Sequence, residues 1–99
     1  MALETRPWDP SDHLDSPEAI SAYLEAALED GDPALFTHAL GQVARAKGMS
    51  QIASDAGVSR EALYRALSLE GDPRLSTLAG VLKAMGLRIA IEPIEPVAA

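Results

Sequence analysis

Five polar side chains between positions 60 and 68 of this 99-residue chain could do chemistry together: Arg60, Glu61, Tyr64, Arg65 and Ser68. On a helix, their spacing turns all five to one side, away from Leu63 and Leu67. Two guanidinium groups, a phenol, a carboxylate and a hydroxyl on one exposed helix face suit contact with the phosphates and base edges of a DNA major groove. Arginine to guanine is the commonest specific pairing, and a good bidentate contact contributes about 1–3 kcal/mol of discrimination. This reading assigns Arg60, Tyr64 and Arg65 to the groove, with Ser59 and Ser68 touching phosphate at the helix ends. Glu61 either accepts from a cytosine amino group or supports Arg65 one turn further on.

Such a face needs a second helix to hold it. Residues 49–67, MSQIASDAGVSREALYRAL, read as a helix-turn-helix over about 50–67. Ser50 is expected to cap a short helix carrying Ile52, Ala53 and Ala56 on one side. Gly57 supplies the left-handed residue that ends it, and Val58 follows as an apolar plug. Ser59 caps the next helix. Ala53 is small, as the crossing of two closely joined helices requires. The same pattern also fits a helical hairpin in an ordinary bundle with no nucleic-acid partner.

Around this centre the chain reads as one domain, residues 16–99, preceded by an extended arm over residues 1–15. Pro7 and Pro10, with Pro17 nearby, prevent a long helix in the arm. Its Trp8 either folds back onto the body or anchors a partner. Ser16-Pro17 and Asp32-Pro33 are helix-start signals. The first helix turns Ile20, Tyr23, Leu24, Ala27 and Leu28 inward and stops at Asp30-Gly31. The second turns Leu35, Ala39, Leu40, Val43 and Ala44 inward and closes at Lys47-Gly48. Residues 69–74 are a loop. A further helix begins near Leu75 or Ser76, carries Leu78, Val81, Leu82 and Met85 inward, and ends at Gly86. Leu87, Ile89 and Ile91 then alternate with Arg88, Ala90 and Glu92, the pattern of a half-buried strand over about 87–92. A single strand needs a ladder partner, and the chain contains no second one. Its own copy across a two-fold axis is the simplest partner; another protein's sheet is the alternative. The expected fold class is therefore all-α: five helices, a central helix-turn-helix, an extended arm and one short strand pairing between subunits.

Charge is unevenly distributed. Residues 1–37 hold nine acids, including Asp12, Glu18 and Glu25, against Arg6 alone, a net of −8. Residues 38–99 hold seven bases and six acids, a net of +1. Within 45–65 four bases face two acids. The split suggests two partners of opposite sign, although acids near helix starts also suit the macrodipole and solubility. With no cysteine there is no disulfide or thiolate metal site. His13 and His38 form no metal set, and no cofactor is expected. No apolar run approaches the roughly 18 residues needed to span a bilayer, and residues 1–14 lack the apolar core of a signal peptide. The expected location is the cytoplasm. With no clustered acid–base pair, phosphate loop or nucleophile elbow, neither an enzyme nor a small-molecule substrate is expected.

Particular runs carry a family resemblance across nearly the whole chain. They include Gln51-Ile52-Ala53, Gly57-Val58-Ser59-Arg60-Glu61, Leu63-Tyr64-Arg65-Ala66-Leu67 and the closing Leu87-Arg88-Ile89-Ala90-Ile91-Glu92-Pro93. With Trp8-Asp9-Pro10 and the acidic leader ending Asp32-Pro33, the chain resembles the addiction-module antidote proteins, HigA-like antitoxins of the Xre-type helix-turn-helix class. The resemblance implies a homodimer that binds and neutralises a small basic RelE-like ribonuclease toxin. It also implies repression of its own operon at an inverted repeat in the operator DNA. Trp8, Asp12, Glu18, Tyr23 and Glu25 are the expected toxin contacts. Gln51 joins the DNA-facing set, although Ser50-Gln51-Ile52-Ala53 is two residues shorter than the usual Thr-Gln-x-x-Leu-Ala opening. The remaining alternatives are a stand-alone repressor without a toxin and a protein-interaction adaptor that has lost DNA binding.

Overall fold

Two hydroxyl- or carboxylate-proline pairs start the first two helices. Ser16 Oγ accepts from the Ala19 N–H at 3.1 Å, with Pro17 at the first helical position of α1 (Pro17–Glu29). Asp32 Oδ1 accepts from the Ala34 N–H at 3.0 Å and opens α2 (Pro33–Lys47) in the same way. Each cap satisfies an amide that has no partner inside its helix. The computed structural model describes residues 14–95 and contains three further helices: α3 (Met49–Ala56), α4 (Arg60–Ala66) and α5 (Leu75–Ala84). Trp8, Asp12 and His13, and the rest of the expected arm before Leu14, lie outside the described residues.

A single core runs through all five helices. Ile20, Leu40, Val43, Leu63 and Val81 are completely buried, and Ile52, Ala53 and Met85 nearly so. Leu14 also joins this core. Helix α1 packs mainly on α2, and α3 on α5. Two glycines permit unusually close approaches. A Cβ on Gly41 would stand 2.8 Å from the Leu67 carbonyl oxygen, and one on Gly80 would stand 3.1 Å from Ala56 Cα. Thr37 is buried on α2 but donates from Oγ1 to the Pro33 carbonyl at 3.1 Å. That bond removes the cost of burying an unpaired hydroxyl.

Several expectations are corrected. Ser50 does not cap α3. A single residue, Gly48, joins α2 to α3, so the helix begins at Met49 and Ser50 lies exposed in its first turn. Ser76 likewise lies inside α5, which starts at Leu75 after Arg74 without a side-chain cap. Leu28 and Leu35, expected inward, are exposed because each stands at the edge of its helix's apolar stripe.

No strand exists among the described residues, so the strand over 87–92, with Leu87, Ile89 and Ile91, and its pairing between subunits have no support in this structure. Leu87 is instead the last residue of a helix stop. Gly86 (φ +83°) and Leu87 donate back to the Lys83 and Leu82 carbonyls at 3.0 and 2.8 Å. This is the Schellman arrangement, in which the residue after the left-handed glycine packs on the helix. Beyond it the backbone has no ladder, and Ile89 and Ile91 face solvent, Ile91 at 93% exposure.

Candidate nucleic-acid and partner interfaces

The outward face of α4 is fixed by what lies behind it. Gly57, in the left-handed region at φ +77°, ends α3, and the Val58 N–H reaches the Ala53 carbonyl at 3.0 Å. Only three residues then separate α3 from α4. Ser59 Oγ accepts from the Ala62 N–H at 3.0 Å and caps α4. Leu63 and Leu67 anchor the helix in the core, Leu67 as its C-cap. Arg60, Glu61, Tyr64, Arg65 and Ser68 consequently share one exposed surface.

Their bonds set what each can offer. The Arg60 guanidinium lies over the Tyr64 ring, with Cζ 5.5 Å from the centroid and Nη2 donating to the Tyr64 hydroxyl at 3.5 Å. That bond, together with the charge interaction with Tyr64 and a smaller one with Glu61, raises the Arg60 pKa above its ordinary value. Ser59 accepts in its cap and keeps its own hydrogen to donate. Ser68 differs: its hydroxyl donates to the Arg65 carbonyl at 2.9 Å, so this rotamer offers a phosphate no donor. Gln51 is exposed on α3 and donates from Nε2 to Asp55 Oδ1 at 3.0 Å, which leaves one amide hydrogen outward. The i, i+4 spacing of Arg60 and Tyr64 would have revealed their pairing in the sequence.

A second surface lies along α1. Glu18 and Glu25 are exposed there. Tyr23 is only half-exposed: its hydroxyl donates to Gln42 Oε1 across the α1–α2 contact, and its ring packs against the core. Burial raises its pKa above the usual 10.0. Glu25 borders an open groove of about 440 Å³ formed by α1, α5, Phe36 and the extended segment after α5. Leu28, Leu78, Leu82 and Ile89 line its apolar wall, and Arg88 and Glu92 stand at its edge. No sequence signal announces this groove, since its walls come from segments as far apart as Ser21 and Glu92. Among the described residues no cluster of three or more His, Asp or Glu side chains could hold a metal ion, and no helix is long and apolar enough to cross a membrane.

The fold and these surfaces define a small all-helical domain that presents a short polar helix on one side and an acid-edged apolar groove on another. Residues 4–93 match the family described as probable addiction module antidote protein, and the chain belongs to that family. An uncharacterized protein of Haemophilus influenzae Rd is 44% identical over 92 residues, which make up 93% of this chain and 95% of that protein. No solved structure matches the chain. Membership gives the chain the role of an antitoxin in a toxin–antitoxin module, a regulator whose partner is a toxin.

Proposed function

We propose that this antitoxin is HigA-like, neutralises a small basic RelE-like ribonuclease toxin by direct binding, and represses its own operon by binding an inverted repeat as a homodimer. The observation that carries the DNA half is the exposed face of α4, where Arg60, Tyr64 and Arg65 stand together over a fully buried Leu63. In this reading α3 and α4 form a helix-turn-helix with α4 in the major groove. Ser59 and Gln51 donate to phosphate, Ser68 joins them after a rotamer change, and Glu61 supports the arginines.

The toxin half rests on family membership and on charge. Glu25 edges the apolar groove and Glu18 stands two turns before it on exposed α1, a match for a basic partner with an apolar element. Trp8 and Asp12, outside the described residues, are further toxin contacts in this reading, and Tyr23 is another from its place on Gln42.

Titration of labelled promoter DNA at several salt concentrations tests the repressor role. Binding of one fragment in preference to a scrambled one, with log affinity falling linearly in log salt, is expected. Equal binding to both fragments, or to neither, would overturn it.

A further inference from the structure

We infer that Tyr64 is a positioning residue for Arg60, holding its guanidinium in place to read one guanine of the DNA site. This rests on the DNA-binding reading of α4 and names the residue that sets its selectivity. The cation lies over the ring at 5.5 Å and a hydrogen bond closes the pair at 3.5 Å, both on the exposed side of the helix. One Nη2 hydrogen goes to Tyr64, leaving four guanidinium donors, and a bidentate guanine contact uses two. A free arginine loses side-chain freedom when it binds a base edge; one already stacked on a ring loses less.

Arg65 has no such support. Its neighbour one turn away on α4 is Glu61, a carboxylate and not an aromatic ring. The two arginines therefore differ: Arg60 is stacked on a ring before contact, whereas Arg65 has only the Glu61 carboxylate one turn away to steady it. Tyr64 then contributes to selectivity through Arg60 rather than by touching a base itself.

The test begins by selecting a preferred duplex from a randomised DNA library with the full-length protein. Affinities for that duplex and its single-base variants are then measured for wild type, Arg60→Ala, Tyr64→Phe, Tyr64→Leu and the Arg60→Ala/Tyr64→Leu double variant. Arg60→Ala should lower discrimination at one guanine by about fivefold or more. Tyr64→Leu should lower discrimination at that same base pair by about two- to fivefold. Tyr64→Phe keeps the ring and should keep most of the discrimination. In the Arg60→Ala background, Tyr64→Leu should change nothing further.

A loss at a different base pair, or an undiminished effect of Tyr64→Leu once Arg60 is gone, overturns the inference while leaving DNA binding intact. If wild type enriches no sequence at all, the DNA-binding reading itself fails and takes the inference with it. Both side chains are exposed, and unchanged thermal unfolding of each variant would confirm that the fold is kept.

Discussion

Arg65 and Tyr23 illustrate two kinds of residue on this surface. Arg65 projects from α4 with Leu63 buried behind it, so its removal should leave the fold intact and weaken operator binding by about 1–3 kcal/mol. Anisotropy titration of Arg65→Ala checks this; wild-type affinity would remove Arg65 from the groove. Tyr23, by contrast, ties α1 to α2. Burial raises its pKa, so the folded chain holds the phenolic proton more tightly than the unfolded chain does. Its contribution to stability is intact below pH 10 and fades as pH rises through the raised value. Urea unfolding between pH 9 and 11 should show a decline that Tyr23→Phe reduces; an identical decline in the variant would place its origin elsewhere. Local polar pattern marked the α4 face in the sequence. The Tyr23–Gln42 bond was not legible, because it joins two helices through residues 19 apart.

At the scale of elements, the stops and starts that rest on local chemistry were readable. Ser16-Pro17, Asp32-Pro33, Gly57-Val58 and Ser59 all behave as their types require. Gly57 is left-handed, so Gly57→Ala should cost about 1–2 kcal/mol in thermal unfolding, and a neutral result would mean the turn can re-form with ordinary dihedrals. Ser50 misled because one-residue linkage through Gly48 leaves no room for a separate cap. The alternation after Gly86 misled for another reason: Leu87 is apolar because it finishes a helix stop, and a ladder cannot be inferred from one chain. Gly41 was silent in the sequence, since its need arises only where α2 meets the end of α4. Gly41→Ala should destabilise by about 1–3 kcal/mol despite the better helix propensity of alanine, because its Cβ would meet a backbone oxygen at 2.8 Å. Stabilisation by that substitution would show that the contact yields easily.

Over the whole molecule, the charge split between the first third and the remainder was visible in residue counts. Its placement required the fold, which puts the polar face of α4 and the acidic edge of α1 on separate helices joined through one core. An apolar groove with an acidic rim suits a basic partner, and its attraction should weaken with salt. The most direct measurement is recovery of the tagged full-length protein from its native host at low salt, with its companions identified and counted. We expect one small basic protein in fixed stoichiometry, released in part by added salt and lost on charge reversal at Glu18 and Glu25. Recovery of the protein alone, or of a companion indifferent to those two charges, would contradict the acidic leader as the surface that captures a toxin.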